Sequence, residues 1–146
     1  MRIQEIKPLP GYEPLGGTWL WAFENSRQRT LRTLEGFELN LLDWLPSWGG
    51  NTISALLYHL AAIEVDWLFT DILEKDEFPP EIDELFPYDV RDQDGNLTTV
   101  PRISFQAHLQ RLATMREYFM DAMLGITDDE FRRVRLFPDY QVTPQW

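Results

Sequence analysis

An all-α fold is what this sequence predicts. Apolar residues recur at helical spacing in three long stretches, helix-starting and helix-stopping residues bracket them, and one long polar connection separates the second stretch from the third. A chain of 146 residues builds one domain around one core, so residues 1–146 are expected to form a single domain. Its 24 Asp plus Glu against 13 Lys plus Arg give a net charge of −11. That surplus of carboxylates opposes a broad grip on phosphate, so nucleic acid is not expected as a partner. With no Cys, disulfides, thiolate metal sites and a Cys nucleophile are excluded, which suits a reducing, cytoplasmic setting.

The first dozen residues carry Pro8, Pro10, Gly11 and Pro14, which punctuate rather than build regular structure. Helical periodicity begins near Gly17-Thr18, and Leu20, Phe23, Leu31, Leu34 and Phe37 predict a first helix over residues 18–35. Leu41 to Gly50 reads as a turn-rich connector with Trp44 and Trp48 over the end of the core. The second helix has the clearest signature: Asn51 or Thr52 caps it, and Ile53, Leu56, Leu57, Leu60, Ile63, Trp67 and Leu68 follow at helical spacing. Ser54, His59, Glu64 and Asp66 interrupt this run, so it reads as a core helix and not as a membrane span.

Residues 71–100 hold ten Asp or Glu against Lys75 and Arg91, which is −8 of the total charge. Pro79-Pro80, Pro87 and Asp94-Gly95 mark this segment as a long solvated crossover. A helical turn at 81–86 and a small hairpin around Asp94-Gly95 are expected inside it. A third helix follows Pro101, with Phe105, His108, Leu112, Met115, Phe119 and Ala122 on one stripe, Arg111, Arg116, Glu117 and Asp121 on the wet side, and Gly125 as the stop. Thr127 to Glu130 is a capping-box pattern opening a short helix, and an irregular stretch runs on through Pro138. Thr143-Pro144-Gln145-Trp146 reads as the first turn of a fourth helix, because a capping residue precedes a proline.

Only two His are present. On its helix His59 has Ala55, Leu56, Ala62, Ile63 and Asp66 as neighbours, and the small Ala55 and Ala62 leave room beside the ring. A neutral imidazole on an apolar face must hydrogen-bond something or bind a metal, so a packed ring and a metal ligand are both open. One His cannot by itself hold Zn²⁺ or Ni²⁺. His108 lies in the stripe of the third helix and reads as a ring at the core's edge. The glycine pairs lack the Lys-Ser/Thr of a phosphate loop, and Glu24, Glu64 and Asp66 show no acid–base spacing.

From Asn51 through His59 to Leu68, the sequence resembles the DinB-like (DinB/YfiT) superfamily of helical bundles in the second-helix pattern of a small polar opening, apolar residues, a His and an acidic-aromatic segment. The likeness extends to 17–45 as first helix and connector, 105–125 as third helix, and 136–146 as the approach to a fourth. It implies an up-down-down-up four-helix bundle, often dimeric, and a divalent metal, Zn, Ni or Mn, held by three His. His59 matches the first ligand. The other two belong to a His-x-x-x-His pair on the fourth helix, and the sequence is therefore expected to continue past Trp146 into that helix. His108 does not match the motif. Characterised relatives include transferases that use low-molecular-weight thiols, so the resemblance implies a metal-dependent transferase or hydrolase acting on a small molecule, in which the ion lowers the pKa of a bound thiol or water. A non-catalytic dimeric bundle used in binding or stress response, with His59 merely packed, is the alternative.

Overall fold

A computed structural model describes residues 5–145, and among these the protein is mostly helical. The helices are α1 (Pro14–Thr33), α2 (Ile53–Asp66), α3 (Pro80–Asp83), α4 (Phe105–Met123) and α5 (Asp128–Arg132), with a single 3-10 turn at Leu39–Leu41. Packing divides the chain into two compact units, one running up to Gly36 and resuming at Met120, the other spanning Phe37–Phe119. The division falls inside α4.

In the first unit α1 begins four residues before the expected start. Pro14 occupies the first turn, where its missing N–H costs nothing and its fixed φ suits the helix. Gly16 and Gly17 therefore lie inside the helix and are buried. A Cβ on Gly17 would stand 3.1 Å from the backbone N and O of Leu9, whose N–H donates to the Gly17 carbonyl at 3.1 Å. The glycine thus lets the preceding segment cross the helix at backbone distance. Of the expected core residues on α1 only Leu20 is fully buried. The short α5 starts as its capping pattern predicts, with Thr127 Oγ1 accepting from the Glu130 N–H at 3.2 Å. Asp128 Oδ1 accepts from the Leu15 N–H at 2.9 Å and so ties α5 to the start of α1.

After α5 the chain is not irregular as expected. Strands β1 (Arg135–Leu136) and β2 (Gln141–Val142) pair antiparallel, and Phe137 stacks on Tyr140 with ring centroids 4.7 Å apart at the turn. Arg135 is fully buried and bonded to Glu130 Oε1, which gives this hairpin an anchor that strand periodicity alone does not advertise in so short a run. Pro144 and Gln145 form a turn, and Trp146 lies outside the described residues, so the start of the expected fourth helix falls only partly within them.

In the second unit Thr52 caps α2 by accepting from the Ala55 N–H at 3.0 Å. The helix continues through a π-helical turn at Trp67–Ile72, closed by the Leu73 N–H donating to the Leu68 carbonyl at 2.9 Å. Its buried face is Ala55, Tyr58, Ala62 and Val65, flanked by Leu57, Ala61 and Leu68. Leu56 and Leu60, expected inside, are 43% and 42% exposed. Ile53–Ile72 is long and apolar enough to cross a membrane by length and composition, but half of that stretch is buried within the protein.

Helix α4 opens on Ser104, whose Oγ accepts from the Ala107 N–H at 3.1 Å. It buries Leu112, Met115 and Phe119 as expected, and His108, read from the sequence as a ring at the core's edge, is fully buried with them. Two residues depart from the wet side assigned to them. Arg116 pairs with Glu64 of α2, both side chains being 11% exposed, and Arg111 is itself buried. Long cationic side chains interrupt the polar face without changing its period, and only their partners reveal that they turn inward. The crossover carries the expected features: α3, and a tight loop in which Arg91 bridges Leu97 around Asp94-Gly95. It also supplies core, since Ile82 and Val100 are fully buried.

Candidate functional site

Two segments of the second unit face each other across a cavity of about 750 Å³. From α2 come His59, Ala62, Ile63 and Asp66, the residues at offsets of three, four and seven that helical geometry places on one face. The crossover supplies Phe78, Ile82, Phe86 and Val90, spaced four apart, together with Tyr88 and Arg91.

Two of the side chains that hold the crossover in place are Tyr58 and Arg111. The Tyr58 hydroxyl donates to the Tyr88 carbonyl at 2.7 Å and accepts from the Tyr88 N–H at 3.0 Å, so one phenol satisfies both backbone groups of a strap residue. Arg111 Nε donates to the Leu85 carbonyl at 2.7 Å, and its guanidinium lies 4.9 Å from the Tyr58 ring centre and 5.7 Å from that of Phe86. Aromatic faces and a carbonyl partly replace the water this cation loses.

His59 is partly buried, and its Nδ1 is buried with no hydrogen-bond partner among the described residues. Burial, and then the nearby Arg91 guanidinium, push its pKa below the usual histidine value, so the ring is neutral at pH 7 and keeps a lone pair for a ligand. Ala62 lines the cavity beside the ring as the spacing predicts, while Ala55 does not.

His108 is fully buried and belongs to a different constellation. Its Nε2 lies 2.8 Å from Ser54 Oγ, which donates its single proton to the Val100 carbonyl at 3.0 Å. Nε2 must therefore carry the proton of that contact. Nδ1 is left to accept from Arg111 Nη1 at 3.4 Å. Burial, followed by Arg111, drives the His108 pKa down to about 4, with Asp43 offsetting part of the drop. The ring is a structural tie from α4 to the start of α2 and stands outside the cavity lining.

Three His, or an equivalent set, are needed for a divalent ion, and among the described residues no group of three His, Cys, Asp or Glu side chains stands together as a metal site. His59 alone fits one ligand position: neutral, at the cavity, with an unpartnered nitrogen. The rest of a set is not among the described residues.

Tyr58, Arg111 and Arg91 were not singled out by the sequence as site residues. The available signal was the run Phe78, Ile82, Phe86, Val90, an apolar residue every fourth position within an acidic segment, which marks one packed side in a stretch that charge alone declares solvated.

The fold defines the class of protein as a mostly helical one. The chain belongs to the DinB superfamily, whose family model matches residues 22–146. No curated protein matches it as a relative.

Proposed function

We propose that this chain is a metal-dependent enzyme of the DinB superfamily acting on a small molecule, as a thiol-dependent transferase or a hydrolase, with His59 as one metal ligand. The observation that carries the proposal is the neutral, partly buried His59 with its buried unpartnered Nδ1 at the edge of a cavity whose volume suits a small ligand. A three-His centre needs two further ligands, which are not among the described residues, and no reaction step is routed through the ion. The residues present do the other work: Tyr58 and Arg111 fix the strap, the strap's aromatics line the cavity, and burial, helped by Arg91, keeps His59 unprotonated. A cytoplasmic homodimer using a low-molecular-weight thiol and binding no nucleic acid completes the proposal, the last point resting on the charge of −11.

Metal analysis of the purified protein tests it. Stoichiometric Zn²⁺, Ni²⁺ or Mn²⁺ in the wild type, lost in His59→Ala, is the expected result. Metal content unchanged by that substitution removes His59 from the centre. A wild type that takes up none of the three ions leaves the non-catalytic bundle as the better reading.

A further inference from the structure

We infer that the cavity beside His59 takes an organic cation, an ammonium head on an apolar body, with the head toward Asp83 and Asp89 and the body along the aromatic wall. This deepens the small-molecule reading of the same cavity. Three carboxylates, Asp66, Asp83 and Asp89, line it against the single guanidinium of Arg91. Asp66 is engaged, since its Oδ1 accepts from Thr70 Oγ1 at 3.2 Å. Arg91 is engaged as well, with Nη1 donating to the Gly95 carbonyl at 2.7 Å. Among the described residues Asp83 and Asp89 have no ion pair or side-chain hydrogen bond, so two carboxylates at the cavity are left to interact with whatever enters it.

The rest of the wall decides what such a ligand must look like. Trp67, Phe78, Phe86 and Tyr88 offer aromatic surface, and Ile63, Ile82 and Val90 add aliphatic surface. Aromatic faces attract cations, whereas an anion meets both the rings' negative faces and the carboxylates. Against them the lining sets one cationic side chain, Arg91. A cationic head is therefore drawn to these carboxylates and away from Arg91. Complementarity of this kind sets orientation as well as selectivity.

A matched series of probes tests the inference on the purified chain: phenethylamine, 2-phenylethanol and 3-phenylpropionate, followed by calorimetry and by amide chemical shifts. The amine should bind at least about tenfold more tightly than the neutral alcohol, and the carboxylate more weakly than either. Asp83 and Asp89 are exposed, so Asp83→Asn with Asp89→Asn keeps the fold, and it should abolish the amine's advantage, while His59→Ala should preserve it. Equal or tighter binding of the alcohol or the carboxylate overturns the inference. So does an amine advantage that survives the double substitution, or no binding of the amine at about 10 mM, the weak limit for a fragment of this size. The metal proposal fails separately: amine selectivity with no metal loss in His59→Ala sinks that reading and leaves this one standing, and the reverse pattern does the opposite.

Discussion

His108 shows how one buried side chain sets a pH dependence. In the folded protein it is neutral, donating through Nε2 to Ser54 and accepting Arg111 at Nδ1, and its pKa is lowered to about 4. In the unfolded chain the same ring titrates near the ordinary value of about 6.5. Between these two values the unfolded state binds a proton that the folded state does not, so stability falls as pH drops from about 6.5 toward 4 and levels off below that. The loss is on the order of 2 to 3 kcal/mol over the window. Gln preserves an amide donor near Ser54 but does not titrate, so His108→Gln should flatten this part of the profile, whatever its effect at pH 7. Urea unfolding of both proteins from pH 7 to pH 4.5 makes the comparison, and parallel profiles would show that His108 is not the group responsible. The residue's position on the apolar stripe was legible from spacing. Its tautomer and depressed pKa were not, because they depend on Ser54 and Val100, which helical periodicity on α4 cannot see.

At the scale of elements, the crossover depends on α2 and α4 for its course, and the decisive side chain is Tyr58. Its hydroxyl satisfies both the N–H and the carbonyl of Tyr88, while its ring packs edge-on against Phe86 at 5.4 Å. Tyr58→Phe keeps the ring contact and strands two backbone groups, for a cost of about 1 to 3 kcal/mol. If the strap is latched this way, amide exchange at Tyr88 and Val90 should accelerate in the variant while exchange in the middle of α4 changes only with global stability. Uniform acceleration across the unit would argue instead for general destabilisation. Elements of this chain were legible where a cap and a period coincide. Thr52 with the apolar run of α2, and Thr127 with Glu130, gave starts that the structure keeps. Pro14 suits a turn and a helix's first turn equally, and that ambiguity accounts for α1 starting four residues before the position its period predicts. The strap's role lay beyond pattern because two of its anchors, Tyr58 and Arg111, sit on other helices far away in sequence.

For the whole molecule the governing quantity is charge. A net −11, of which −8 lies between residues 71 and 100, places like charges close together on the segment that walls the cavity. Self-repulsion of this kind destabilises the compact state and is screened over about 10 Å at 0.1 M salt, whereas the nearly buried Glu64–Arg116 pair is screened far less. Repulsion should therefore win the balance, and NaCl raised from about 10 mM to 0.3 M should increase the melting temperature, a range over which screening tightens from roughly 30 Å to several ångström. Asp76 and Glu77 are exposed and lie outside the cavity lining, so Asp76→Asn with Glu77→Gln removes two charges without touching the site. That variant should melt higher than the wild type in low salt and gain less from added salt, the two proteins converging as screening becomes complete. Thermal scans of both across the salt series decide it. A melting temperature that falls with salt would mean that attractive pairs such as Lys7–Glu5 and Arg133–Glu130 outweigh the crossover's repulsion, and the charge balance would then favour folding rather than oppose it.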